Sequence, residues 1–366
     1  MYANKIIKLI NGTTRSLKYI SEKCNPPFIT PKRALVALPG YIGDVILIIP
    51  MLRNLRYNLG AEVEIDIVCN KNIYNLVETL PYIDNFYPVE KIGKNKVLFL
   101  QNNEYDTVFL FNIPILWAFA SYKAGIKQRV SLTLERLGLD YPIIWKNLVT
   151  HLVKSTPITD KKPQWKVYLD TLQDLNLNIF DEHLEIHLTN DDINKARNIM
   201  QEIKQPRIAV HITAGSPGKE WNLDNWITLI KYLNDKYDCS FISTGVKNEK
   251  PIYDYLSSQT GVKINNLCGK TTLRETVALY RYFDLIVTLD TAAAHFAAVA
   301  NTKNIVVIYG PTNHAQWAPY APSSNIHQVY KDLPCRPCLT RFCRHKECLN
   351  KLYPEQVISV IDQISI

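Results

Sequence analysis

Three short turns, each directly after an apolar run, carry the side chains of this 366-residue chain that could do chemistry. In the first, Gly40-x-x-Gly43-Asp44 follows the run from Arg33 to Leu38. The glycines permit a tight turn, and a carboxylate at the start of the next helix could act as general base on a hydroxyl. Capping is the competing reading, since Asp is a favoured N-cap. In the second, Thr213-Ala214-Gly215-Ser216-Pro217-Gly218-Lys219 follows Arg207 to Ile212. Backbone donors and the Lys219 ammonium together suit a diphosphate, although a Gly-Ser-Pro-Gly-Lys stretch is also simply flexible. In the third, Leu285 to Leu289 ends at Asp290-Thr291-Ala292-Ala293-Ala294, and His295 opens an Ala-rich helical segment. Side chains as small as Ala let an anion approach the N–H groups at a helix start. Capping by Asp290 and core packing of His295 are the bland alternatives.

A fourth cluster, Cys335-x-x-Cys338-x4-Cys343-x4-Cys348, gathers four of the eight cysteines within 14 residues. With no export signal visible, it points to reduced thiols or to a structural zinc or iron site. Its two longer gaps depart from a standard zinc ribbon. Two nucleotide motifs are missing. Glu220 follows Lys219, which breaks the Walker pattern, and no GxGxxG fingerprint with a following acid is present.

These turns need a parallel α/β framework to position them. Arg33 to Leu38, Glu64 to Val68 and Thr107 to Phe111 read as strands in the first half. Arg207 to Ile212, Ser240 to Ser243, Leu285 to Leu289 and Ile305 to Tyr309 do so in the second. Helical patterns cover the segment ending at Leu59, Trp165 to Leu175, Asp191 to Ile203 and Leu223 to Lys236. The alternation predicts two Rossmann-like domains. Their expected limits are 33–190, on the acceptor side, and 191–353, which binds nucleotide and carries the cysteine cluster. A basic extension, 1–32, precedes them and a C-terminal helix, 354–366, follows. The polar stretch 156–164 falls in the inter-domain region.

At 47% hydrophobic and 21% charged residues the composition is that of a globular protein, neither disordered nor membrane-spanning. The run Val45 to Leu52 contains Pro50 and is too short to cross a bilayer. Net charge is +8, of which +6 lies between Met1 and Arg33. There Ile6, Ile10, Leu17 and Ile20 could share one helical face and rest on an anionic membrane; a solvated basic tail is the alternative. The rest of the chain is nearly neutral, so nucleic acid is not an expected partner. The expected location is the cytoplasm, at the inner face of the inner membrane if the basic tail docks there.

Taken together, these segments resemble glycosyltransferase family 9, the bacterial ADP-heptose:lipopolysaccharide heptosyltransferases. The resemblance is carried in order by Ile42-Gly43-Asp44-Val45-Ile46-Leu47-Ile48-Ile49-Pro50, then by Ala214-Gly215-Ser216 with Lys219-Glu220-Trp221. Leu267-Cys268-Gly269-Lys270-Thr271-Thr272-Leu273, Asp290-Thr291 with His295, Gly310-Pro311-Thr312 and Trp317-x-Pro319 follow. It implies a GT-B fold, two facing Rossmann-like domains with the active site in the cleft. It also implies inverting, metal-independent transfer of heptose from an ADP-sugar donor to a lipopolysaccharide-core acceptor. By this likeness Asp44 is the general base, with Gly43 on the acceptor side. Lys219 neutralises the departing diphosphate, and Asp290 holds the sugar or nucleoside. Thr291 and Ala292 offer N–H groups to the phosphates, with Thr213, Ala214, Gly215, Ser216 and His295 completing the donor pocket. No cofactor is required for that chemistry.

Two departures stand out: Ala292 and Ala293 occupy positions where the family commonly has Gly, and the basic extension exceeds the usual start. Autotransporter heptosyltransferases also resemble this family and carry a cysteine-bound iron finger. Another nucleotide-sugar, or a protein Ser/Thr acceptor, therefore stays open beside a non-catalytic nucleotide-sugar-binding protein. The segments Lys91 to Gln101 and Gly125 to Leu139 are the expected acceptor loops, for their Lys and Arg.

Overall fold

The computed structural model describes residues 25–38, 40–111, 115–132, 148–153, 161–338, 343 and 345–366. The N-terminal helical face, residues 133–139 of the second expected acceptor loop and 156–160 of the expected linker lie outside these residues. The chain divides into two compact units. One comprises the chain through Tyr74 with Pro81–Glu182, the other Asn75–Leu80 with His183–Ile366. The boundary falls at 182/183, where the sequence reading placed it at 190/191.

Side-chain tethers account for that position. On the helix Ile42–Leu59, Asn54 accepts from the backbone N–H of Phe180 at 2.6 Å, and Asn58 from that of Asn178 at 2.8 Å. Arg53 pairs with Asp181 at 2.8 Å. The chain up to 182 therefore belongs to the first core. Five residues on, the Thr79 hydroxyl donates to the carbonyl of His187, within the second unit.

The first unit holds the strands β1 (Arg33–Ala37), β2 (Glu64–Cys69), β3 (Asn85–Pro88), β4 (Thr107–Leu110), β5 (Gln128–Leu132) and β6 (His151–Val153). The second holds β7 (Arg207–His211), β8 (Ser240–Ser243), β9 (Ile264–Asn266), β10 (Leu285–Leu289), β11 (Asn304–Tyr309) and β12 (Asn325–Tyr330). Each sheet is parallel, in the order β3-β2-β1-β4-β5-β6 and β12-β11-β10-β7-β8-β9. Counted within their own units, both follow the doubly wound order 3-2-1-4-5-6. The chain reverses direction across the sheet between β1 and β4, and again between β7 and β10. Ligands of such sheets gather just beyond the carboxyl ends of those strands.

Every residue of β10 and β11 is buried, as expected for central strands covered on both faces. Each of the four apolar side chains of β10 contributes about 1.5–3 kcal/mol by burial. That exceeds any capping term, so core formation fixes where Asp290 emerges.

Two glycines in the family-like motifs have a steric reason. A Cβ on Gly269, at φ +71°, would sit 2.9 Å from the Lys247 Cα. One on Gly310 would press on Leu349 at 3.0 Å, and it would lie 3.5 Å from the Gly218 carbonyl oxygen. Beyond Gly269, Thr272 and Glu275 form a capping box that starts the helix Leu273–Tyr280. That helix carries Arg274, whose guanidinium is largely buried and pairs with Asp192 at 2.9 Å and Glu78 at 2.7 Å. It also donates to the carbonyl of Asn75.

Candidate active site

Asp290 leaves the end of β10 and is buried, at 6% exposure. It does not cap the following helix. Thr291 is the N-cap of Ala292–Val299, its hydroxyl accepting from the N–H of Ala293 at 3.3 Å. The Asp290 carboxylate instead accepts from Lys219 Nζ at 2.8 Å and from the Thr312 hydroxyl. Lys219 also donates to the Asp290 carbonyl at 3.2 Å. An ion-paired lysine and the leading N–H groups of a helix are thus placed at the carboxyl edge of the sheet.

The Lys219 turn is held from below. Its N–H donates to the Ser216 carbonyl at 2.9 Å, closing the short turn Pro217–Lys219. Trp221, two residues on, is buried, packs edge-on against Trp226 and donates from Nε1 to the Leu352 carbonyl at 2.7 Å. The Lys-x-Trp spacing is thus an anchor and a reach. Thr213 lies on the same loop, and its hydroxyl is buried with no hydrogen-bond partner among the described residues. Native buried hydroxyls are seldom left so. Ala214 and Ser216 are half-buried, and Gly215 is exposed.

His295, on the helix that starts beside Asp290, is buried among these groups. Burial lowers its imidazole to about 4, outweighing the attraction of Asp290, while Lys219 pushes the same way as burial. The ring is therefore neutral at pH 7.

In the other unit, Asp44 is the third residue of the helix Ile42–Leu59, and Gly43 beside it is half-buried. The N-cap is Tyr41, with no side-chain cap, so capping does not explain this carboxylate. Asp44 is buried, and the hydroxyl of the fully buried Tyr168 donates to its Oδ1 at 3.0 Å. A carboxylate at the head of an otherwise apolar buried segment, Val45 to Leu52, is where a proton-accepting group can be set in a water-poor environment.

Sequence reasoning missed three contributors. Tyr168 carries no motif, being 124 residues from Asp44. Thr312 lay within the quoted Gly310-Pro311-Thr312 without a role; its hydroxyl binds Asp290, and its carbonyl accepts from Arg336 at 3.1 Å. His211, at the end of β7, is held by the Thr244 carbonyl at 3.1 Å, and burial lowers its imidazole despite the nearby Glu249. Such pairings depend on sheet order, which no local spacing reports.

The cysteine cluster is strapped to the same edge: the Cys338 N–H donates to the Pro311 carbonyl at 2.8 Å. Burial raises the Cys348 thiol, against the pull of Arg336. Among the described residues, Cys335, Cys338, Cys343 and Cys348 included, no three His, Cys, Asp or Glu side chains are grouped to hold a metal ion.

A model of glycosyltransferase family 9 (heptosyltransferase) matches residues 99–349. The chain is similar to lipooligosaccharide heptosyltransferase 2 of Campylobacter jejuni, at 31% identity over 145 residues. That match covers 38% of this chain and 44% of the relative, so it spans less than half of the relative's own length. Similarity to lipopolysaccharide heptosyltransferase 3 of Escherichia coli is weaker but longer, at 22% identity over 346 residues, 88% of this chain and 96% of the other. Among solved structures, the E. coli ADP-heptose LPS heptosyltransferase II matches with a TM-score of 0.68 at 18% identity. It covers 90% of this chain and 98% of that one, and the likeness carries the fold alone. The fold is α/β, two-domain GT-B.

Proposed function

Because the chain belongs to glycosyltransferase family 9, we propose that it transfers a heptose from an ADP-heptose donor to a lipopolysaccharide-core acceptor, with inversion at the anomeric carbon. The observation that carries the reading is the Lys219–Asp290 pair beside the first N–H groups of the helix Ala292–Val299. The donor's diphosphate takes up the Lys219 ammonium and the N–H groups of Thr291 and Ala292. As the bond from the anomeric carbon to the diphosphate oxygen breaks, the bonding pair leaves on ADP, and these donors receive the added charge. No metal is needed where a lysine and a helix start already face the leaving group. Asp290, freed in part from Lys219, accepts hydroxyls of the sugar or nucleoside. Thr213, with its unpartnered hydroxyl, joins that pocket together with Ala214, Gly215 and Ser216. His295, neutral, shapes it.

Asp44 takes the proton of the acceptor hydroxyl as that oxygen attacks the opposite face of the sugar. Tyr168 orients the carboxylate by donating to Oδ1. The work is proposed to take place on the cytoplasmic side of the inner membrane. Transfer from a different nucleotide-sugar leaves this machinery unchanged and alters only the pocket next to Ala292 and Ala293.

The test is a panel of ADP-heptose, other ADP-sugars, UDP-sugars and GDP-sugars, scored by nucleotide release with and without lipopolysaccharide core. Selective release from ADP-heptose supports the proposal. Preference for another sugar removes the heptose donor, and binding of none removes the enzyme.

A further inference from the structure

Two neighbouring helices of the first unit, Lys96–Asn102 and Ile115–Lys123, carry large apolar side chains on their outer face as well as on their inner one. Inward, Leu100, Trp117, Ala118 and Ala120 are buried in one cluster, with Phe99 edge-on to Trp117. Outward, Leu98, Leu116, Phe119 and Tyr122 are 54%, 61%, 48% and 49% exposed. Scattered exposed apolar residues are ordinary, but four on adjacent helices form a patch. A helix apolar on all sides is normally covered on all sides.

Charge says what covers this one. No Asp or Glu occurs from Lys91 to Asn103 or from Thr107 to Leu132, whereas Lys91, Lys94, Lys96, Lys123, Lys127 and Arg129 all do. Two cations border the patch directly: Lys123 Nζ stands 5.7 Å from Phe119 and the Arg129 guanidinium 5.6 Å from Tyr122, while Lys96 lies on the first of the two helices. Apolar and aromatic side chains beside this excess of cations, with Glu90, Glu104 and Asp106 at the margins of the two segments, complement a surface of acyl chains beneath anionic headgroups. A second copy of the chain is disfavoured, because a two-fold contact through this face sets like charges against each other.

We propose that the outer face of this helix pair docks on an anionic lipid bilayer. Leu98, Leu116 and Phe119 enter the acyl boundary, and Tyr122 lies at headgroup level. Lys96, Lys123 and Lys127 lay their stems along the surface and keep their ammonium groups among the headgroups. Docking of this kind is peripheral and reversible; among the described residues no helix is long and apolar enough to cross a membrane. It stands independently of the donor assignment, since lipid binding needs no nucleotide.

The experiment is flotation of the full-length protein with phosphatidylglycerol–phosphatidylethanolamine vesicles and with pure phosphatidylcholine vesicles. Wild type should float with the anionic vesicles, in a salt-sensitive way, and weakly with the neutral ones. Leu116→Ser with Phe119→Ser should lower the partition coefficient by about tenfold or more. Lys96→Gln and Lys123→Gln should each lower it by about fivefold on anionic vesicles only. Thermal melting and ADP binding serve as checks of the fold. Undiminished flotation of the natively folded Leu116→Ser/Phe119→Ser protein overturns the proposal. So does binding that disappears with Lys5→Gln/Lys8→Gln alone, which would assign it to the basic N-terminus. Loss of a concentration-dependent dimer in the patch variants would give the face to a second copy instead.

Discussion

Removing the Lys219 ammonium is the perturbation with the most to say about the donor corner. Lys219 Nζ makes a 2.8 Å bond to the Asp290 carboxylate and a 3.2 Å bond to its carbonyl. The carboxylate is 7% exposed and the lysine 31%. Breaking a fully buried pair costs about 3–5 kcal/mol. Here solvent reaches the lysine, and the Thr312 hydroxyl remains on the carboxylate, so the smaller worth of a charge-assisted bond applies, about 1.5–3 kcal/mol. The same ammonium is assigned to the diphosphate, so the loss should appear in donor use as well. Lys219→Met, which keeps the aliphatic stem, should weaken ADP binding and lower kcat/KM for the donor by about 10- to 150-fold. Lys219→Arg should retain part of both. Titration calorimetry with ADP and initial rates of nucleotide release provide the two readouts, with a thermal melt to confirm folding. If ADP affinity and kcat/KM both stay within about threefold of wild type, the diphosphate binds elsewhere and the pair with Asp290 is structural.

Asp44→Asn should cut turnover by about 100- to 10,000-fold while leaving ADP affinity untouched; equal turnover would remove the general-base assignment. Tyr168→Phe deletes a donor that favours the ionised carboxylate, so the acid limb of the pH–rate profile should move up by less than about one unit, with KM for the donor unchanged. His295 is held at about 4 in the folded protein against 6.5 in the open chain. The unfolded state therefore binds more protons between those values, and stability should rise by about 3 kcal/mol from pH 4 to 6.5. His295→Asn should flatten that rise in urea melts taken across the window. Gly269→Ala combines a left-handed φ with a clash against Lys247 and should cost about 1–3 kcal/mol, seen as a lowered Tm.

Local apolar runs placed most strands that end at the site, because a parallel strand buried on both faces is nearly continuous in sequence. Ser240–Ser243 and Leu285–Leu289 stand where the pattern put them, as does the helix Leu223–Lys236. The strands β3, β5, β6, β9 and β12 were not legible. They are short or lie at or next to a sheet edge, and β3, Asn85–Pro88, is only half-buried. For Asp44 and Asp290 the sequence left capping open, and only the positions of Tyr41 and Thr291 as N-caps decide against it. The partners Tyr168 and Thr312 come from distant stretches of chain brought together by strand order.

Arg274 has a bearing on how such proteins exchange parts. Its partners Glu78 and Asn75 are supplied by Asn75–Leu80, a short loan from the first half of the chain to the second unit. A hybrid joined at 182/183, taking its first half from a relative, would replace these residues while keeping Arg274. The guanidinium, only 10% exposed, would then keep Asp192 and the backbone carbonyl at position 75 but lose its second carboxylate unless the donor half brings an acid at position 78. Exchange of halves is thus constrained at position 78, far from the joint. Halves that share this loan should be interchangeable, and halves that lack it should express as poorly folded hybrids.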